Sequence, residues 1–337
     1  MAQSAQPARS PWRIDRKGVI AIVIASVLVL AAGGSYLWNT VLSDLPLFGG
    51  ASTGNPLGTG QFYVDPDSSA ATAAADPAQP ADDAAALSKL STVPQAIWLV
   101  PEEHPTSSIG GYVSGVVSDA AATDTVAAFV VYGIPERDCG NQSAGGLTAD
   151  EYPLWLDAIA GGLGTAASAV ILEPDSLSLA DECGNTDSRV ATTQDAITRF
   201  ADTGAVIYLD GGHSNWHPAA ETAALLQRAG IDRVRGFATN VSNYNATDNE
   251  VAYAEQVSGL TGDSHYVVDT GRNGNGSNGE WCNPSGRALG DTPAVFSDAH
   301  RDADLWIKTP GESDGECNGG PPAGDWWNAG ALALIRN

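Results

Sequence analysis

The 337-residue chain is short of positive charge: 16 Lys and Arg stand against 40 Asp and Glu, a formal net charge of -24. Binding to a polyanion draws on clustered Lys and Arg that release counterions, so this balance argues against DNA and RNA as partners. Histidine and methionine are sparser still. With one Met and five His there is little material for a multi-histidine centre. The four cysteines contain no closely spaced pair of the kind a structural zinc needs. No loop alternates oxygen ligands in the EF-hand manner. No Gly-rich phosphate fingerprint follows the first apolar run, which weakens a dinucleotide-binding reading. What remains is globular in composition, 43% hydrophobic and 17% charged, with unusual counts of nine Trp and 38 Gly.

The N-terminus reads as a membrane or export signal. Residues 1–17 form a basic tail with Arg9, Arg13, Arg16 and Lys17, read as cytoplasmic. Residues 18–38 follow without a charge and are long enough to span a bilayer. They are expected to be an uncleaved signal anchor, with a cleaved signal peptide as the alternative. Residues 39–54 read as a linker, and 55–337 as a catalytic domain. Either way the bulk of the chain is exported, to the outer face of the plasma membrane or beyond it. From residue 39 onward it carries 12 basic and 39 acidic residues. Cys139, Cys183, Cys282 and Cys317 all fall in this part, and an even count in an oxidising compartment suggests two disulfides. Three connectivities are open; sequential pairing, Cys139–Cys183 and Cys282–Cys317, is the working expectation.

Short apolar, β-branched runs occur at 96–100, 126–132, 167–173, 205–210, 235–240, 265–269 and 303–308. Ala-rich helical patterns lie between them at 83–90, 149–159, 192–201, 218–229 and 250–260. The runs lack polar alternation, as parallel strands covered by helices do. Strand starts recur every 30–40 residues, the length of a βαβ unit. The expected fold is therefore α/β, a distorted (β/α) barrel of about seven parallel strands, with the N-terminal segment ahead of it. For 325–336, Asp325 as a cap favours helix.

Several runs end in acids: Asp138 beyond the second, Asp175 after the third, Asp210 ending the fourth, Asp269 ending the sixth, Asp314 beyond the seventh. In a β/α barrel these ends converge on one face, where active sites are built. A lone strand-terminal Asp more often caps the next helix; five together point to a ring of carboxylates in one cleft. Such a ring without a serine elbow or catalytic cysteine suits glycoside hydrolysis, which needs one protonated and one ionised carboxyl. Crowded acids supply the protonated one by mutual repulsion. Trp98, Trp216 and Trp281 sit at strand ends or in loops, where an indole can stack on the apolar face of a pyranose, whereas Trp306 and Trp155 read as core.

The segments Tyr132-Gly-Ile-Pro-Glu-Arg-Asp-Cys139, Ile171-Leu-Glu-Pro-Asp-Ser-Leu177, Tyr208-Leu-Asp-Gly-Gly-His213, Ala238-Thr-Asn-Val-Ser-Asn-Tyr244, Asp269-Thr-Gly-Arg-Asn273 and Trp306-Ile-Lys-Thr-Pro-Gly-Glu-Ser-Asp-Gly315 resemble glycoside hydrolase family 6, the cellulases. The resemblance covers roughly residues 55–337. It implies an inverting hydrolase of β-1,4-glucan without metal or organic cofactor. Asp175 would be the general acid. Asp138, after Arg137, would tune it and help order the attacking water. Asp314 would sit where the proposed general base lies, a water chain to Asp138 being the rival account. Tyr132 would press on the sugar at the cleavage point. Asp210 would support the acid, with Lys308 and Glu312 holding hydroxyls. Trp98, Trp216 and Trp281 would be sugar platforms, and His213 and Asn240 polar contacts. The family also agrees with sequential disulfides. The compact length favours an open-cleft endoglucanase over a cellobiohydrolase, with a silent glucan-binding module as a reading from another class. A monomer is the default. Asn141, Asn240 and Asn245 open glycosylation sequons.

Overall fold

The computed structural model describes residues 55–58, 61–297 and 299–337. The expected basic tail, apolar span and linker lie outside the described residues. Among the described residues no helix is long and apolar enough to cross a membrane.

Eight strands form one mixed sheet: β1 (Ile97–Leu99), β2 (Ala127–Val131), β3 (Ser168–Leu172), β4 (Ala205–Asp210), β5 (Gly236–Thr239), β6 (His265–Asp269), β7 (Ala294–Val295) and β8 (Arg301–Leu305). Their order is β1-β2-β3-β4-β5-β6-β8-β7. All neighbours are parallel except β7, which runs antiparallel to β8. The seven parallel strands are those the apolar runs anticipate. β7, two residues long, carries no pattern that could announce it.

Alternate residues of each strand feed two separate cores. Ala127, Phe129 and Val131 of β2 pack outward under the helices. Ala128 and Val130 pack inward with Ile171, Tyr208, Ala238, Val267 and Leu305. A sheet with apolar contacts on both faces and a filled concave side is a half-barrel wrapped around an interior. The flanks of β1 and β8 meet at one point beyond the ladders, where Ala96 N–H donates to Trp306 O at 2.9 Å.

The helices are α1 (Ser69–Ala75), α2 (Ala81–Leu90), α3 (Thr106–Ala122), α4 (Tyr152–Leu163), α5 (Thr186–Phe200), α6 (Ala219–Ala229), α7 (Thr247–Leu260) and α8 (Asn328–Arg336). Five match expected patterns. α1 and α3 were not anticipated, for opposite reasons. α1 is a short Ala stretch capped by the Ser68 hydroxyl, which accepts from Ala71 N–H. α3 is rich in Ser, Gly and Val and has poor intrinsic propensity. It forms because Ile109, Val113, Val116, Val117 and Ala120 bury one face, and because Gly110 lets α4 come close: a Cβ there would lie 2.8 Å from Ala158 O. At the C-terminus the expected cap at Asp325 is corrected. Trp327 precedes the helix, and residues 325–327 are held in extended contacts, Trp326 pairing with Glu312.

Both disulfides are the sequential ones, Cys139–Cys183 and Cys282–Cys317. Trp155 and Trp306 are core residues, as expected. Asn240 and Asn245 are buried, so two of the three sequons cannot accept a glycan; Asn141 is exposed.

Candidate active site

The C-terminal ends of the strands open onto one cleft of about 960 Å³. Trp98, Tyr132, Arg137, Asp138, Asp175, His213, Trp216, Trp281, Lys308, Glu312 and Asp314, drawn from six inter-strand loops and strand ends, all line it. Two of the expected site residues do not. Asp210 lies buried behind Asp175, and Asn240 is wholly buried.

β3 delivers Asp175 through a strained turn. Glu173 and Asp175 both have left-handed backbone, φ 50° and 65°, a conformation costly for residues other than Gly and one that marks functional turns. The Asp175 N–H donates to Asp210 Oδ2 at 3.0 Å, which fixes the turn to the end of β4. Burial first, then the charges of Asp210, Asp138 and Asp314, hold the Asp175 carboxyl well above the ordinary carboxylate range. Asp210 is raised too, by burial against donation from Asp175 and Gly212 N–H. Two buried carboxyls in this relation cannot both ionise freely, so the pair retains a proton.

Asp138 stands in the neighbouring loop after β2, where Glu136, Asp138 and Cys139 are all left-handed. Three devices hold this loop. The Cys139–Cys183 bond ties it to the β3–α5 connection. Ser143 N–H donates to Asp138 Oδ2 at 2.7 Å. Arg137 makes a forked pair with Glu102, 3.0 and 3.1 Å, donates to Tyr132 O and lies 4.8 Å above the Tyr132 ring. Burial raises Asp138. Tyr132 meets Trp98 edge-on, with centroids 5.3 Å apart. Lys308, paired with Glu312 at 2.9 Å, stands 5.1 Å over the same indole.

Asp314 is engaged on every side. Oδ1 accepts from Arg272 at 2.8 Å; Oδ2 accepts from Tyr244 OH at 2.7 Å and from Asn283 N–H at 3.0 Å. His213 accepts from Asn215 N–H and Asn245 Nδ2 through Nδ1, and burial lowers it to about 4, so it is neutral in the cleft. Trp216 lies 5.5 Å from it, and Trp281 projects from its loop with 58% of its surface exposed.

Asn240 acts as a brace. Its Nδ2 donates to Asp269 O and Asn245 O, and its Oδ1 accepts from Asn245 N–H. Asp269, expected in the ring of acids, is instead a buried knot. Oδ1 accepts from Gly271 and Ile307 N–H, and Oδ2 from Ser242 and Lys308 N–H, at 2.9–3.1 Å. One carboxylate therefore ties together the loops after β5, β6 and β8.

Glu102, Glu173, Tyr244, Arg272 and Asn283 hold the site and were assigned no role from sequence. Glu173, Tyr244 and Arg272 lie inside the quoted motifs, so their neighbourhood was visible though not their bonds. Glu173 is the most consequential. It accepts from Gly133 and Ile134 N–H and from Tyr152 OH, which fixes the chain just after Tyr132. Burial pushes it up from 4.5 to about 7. A carboxyl raised in the folded state contributes stability that is full below its unfolded value and lost as pH rises through its folded one. The melting temperature is expected to fall between pH 5 and pH 8, and Glu173→Gln to flatten that slope. Identical slopes in the two proteins would exclude Glu173 as the group responsible.

The model of the glycosyl hydrolases family 6 matches residues 57–337. Endoglucanase A of Cellulomonas fimi is 42% identical over 286 residues, covering 84% of this chain and 62% of that protein. The chain thus spans about three fifths of that curated relative's length. The solved endoglucanase Cel6 of Mycobacterium tuberculosis, in complex with a thio-linked cello-oligosaccharide, has a TM-score of 0.77 at 43% identity, covering 83% of this chain and 98% of that one. A probable 1,4-beta-D-glucan cellobiohydrolase C of Aspergillus niger is 29% identical over 371 residues, 88% of this chain and 80% of that protein. Since 88% of 337 residues is about 297, that alignment holds about 74 positions with no counterpart here. The alignment with the Cellulomonas protein holds almost none. With this agreement of sequence over nearly all of the described residues, and of fold with a solved relative, the chain belongs to glycosyl hydrolases family 6.

Proposed function

We propose that the protein is an endo-β-1,4-glucanase that hydrolyses internal bonds of cellulose or a related β-glucan with inversion. The observation that carries this reading is Asp175, a carboxyl that burial and acidic neighbours hold well above the ordinary range, lining one cleft with Trp98, Trp216, Trp281 and further acids. Asp175 protonates the departing glycosidic oxygen, the role for which a raised carboxyl is suited. Asp138, in the neighbouring loop, helps order the water that attacks the other face of the sugar. Asp314 is tethered by three donors, the Arg272 guanidinium among them. That tether favours Asp138 as the end of the water chain and gives Asp314 the part of a fixed carboxylate beside the developing positive charge. Tyr132, wedged between Arg137 and Trp98, presses on the ring at the cleavage point. Trp98, Trp216 and Trp281 serve as platforms, His213 as a neutral polar contact, and Lys308 with Glu312 as a hydroxyl clamp. Asn240 holds the 240–245 turn from behind.

The missing positions relative to the Aspergillus protein favour internal cutting over a tunnel: there is little chain from which to build a roof. The disulfides beside the site favour an oxidising, extracellular setting, with residues 18–38 as anchor or signal. The test follows viscosity and reducing ends together on soluble carboxymethylcellulose, with proton NMR on a neutral cello-oligosaccharide. Steep viscosity loss with few new ends, and α-anomer appearing first, are expected. Reducing ends without loss of viscosity would indicate chain-end attack. A β-anomer formed first would overturn inversion.

A further inference from the structure

Asn283 closes the loop that carries Trp281, immediately after Cys282. It is buried and left-handed, φ 47°. It and Asp314 exchange two hydrogen bonds. Asn283 N–H donates to Asp314 Oδ2 at 3.0 Å, and Asp314 N–H donates to Asn283 Oδ1 at 2.8 Å. The amide's other end faces only acceptors: Gly315 O at 2.8 Å, Ser313 Oγ at 3.0 Å and Cys317 O at 3.1 Å. An acceptor is required on one side and a donor on the other, so the amide has a single orientation. The surrounding chain is moulded to it, since a Cβ on Gly320 would fall 2.2 Å from Nδ2 and 2.5 Å from Ser313 Oγ.

We infer that Asn283 is the positioning residue for Asp314, joining that carboxylate and the Trp281 platform into one unit. The inference rests on the reading of Asp314 as a group that serves the reaction. Asn combines what the place demands. It tolerates left-handed backbone better than most residues, and it supplies an acceptor and a donor on one short side chain. Arg272 and Tyr244 give Asp314 its charge partner and a third donor, but they approach its carboxylate alone. Asn283 grips carboxylate and main chain together, which sets both where Asp314 sits and which way it points.

The experiment is a double-mutant cycle of Asn283→Gly with Asp314→Asn in the full chain. Glycine keeps the left-handed backbone and the N–H while removing the amide. Asn283→Gly is expected to lower kcat about tenfold with KM nearly unchanged, the signature of a misplaced group rather than lost binding. Added to Asp314→Asn it should cost nothing further. Additive losses would overturn the inference, because Asn283 would then act elsewhere. Where the glycine variant does not fold, Asn283→Asp enters the same cycle under the same criterion. Should Asp314→Asn alone turn over at the unmodified rate, the reading of Asp314 falls separately. Positioning is then judged by the carboxyl ¹³C titration of Asp314: displaced in Asn283→Gly, it stands; unmoved, it is overturned.

Discussion

Asp175→Ala is expected to lower kcat on unactivated β-1,4-glucan by about 10²- to 10⁴-fold, the usual contribution of a positioned general acid. The glycosidic oxygen of a glucan is a poor leaving group unless it receives a proton. Asp175 is the carboxyl at the cleft whose environment holds one, through burial and the neighbouring acids Asp210, Asp138 and Asp314. The deficit should shrink sharply on aryl cellobiosides whose phenolate leaves without protonation. That contrast separates loss of an acid from general damage, which would depress both substrates alike. The variant should still bind cello-oligosaccharides, since the indole platforms are untouched. A rate within about threefold of the unmodified enzyme on glucan would remove Asp175 from the role, because no acid catalysis of ordinary size could then be assigned to it.

The second large effect is on stability. Asp269→Ala removes the acceptor for four backbone N–H groups, those of Ser242, Gly271, Ile307 and Lys308. A buried donor left without a partner costs roughly 1–3 kcal/mol. Relaxation and entering water recover part of the sum, leaving a net loss of about 4 kcal/mol, in the exceptional range for a point substitution. For a chain of this size that corresponds to a fall in melting temperature of roughly 10 °C. Asp269→Asn should fall between, since one oxygen remains and the new NH₂ opposes two donors. Thermal unfolding of the three proteins by circular dichroism checks the order. A drop of only about 2 °C for the alanine variant would show that the four N–H groups find other partners.

The sequence was most legible where one physical rule dominates. Continuous apolar runs give buried parallel strands, and each of the seven runs lies over a strand with ends within three residues. The acids at the strand ends were legible as a class, because topology brings those ends together. Their individual fates were not. Asp175, Asp138 and Asp314 reach the cleft, whereas Asp210 supports from behind and Asp269 serves as a knot. Nothing local distinguishes them: each follows an apolar run and precedes a turn, and the difference lies in which backbone N–H groups the folded loops aim at each carboxylate. Asn240 shows the same limit. α3 escaped because its helicity comes from packing against α4 rather than from its own residues. Asn283 escaped because its work is defined by a loop some 30 residues further along the chain.

Trp155 and Trp306 are sealed in the core, but Trp281 stands 58% exposed at the edge of the cleft. An indole so placed emits like a tryptophan in water and is open to a quencher dissolved in the medium, while sealed indoles are not. A glucan chain lying on Trp281 would screen it. With Trp281 as the proposed platform, the protein would carry an optical gauge of whether its cleft is filled, one that needs no label and is independent of bond cleavage. In a variant that binds without cutting, such as Asp175→Ala, that gauge would report occupancy alone.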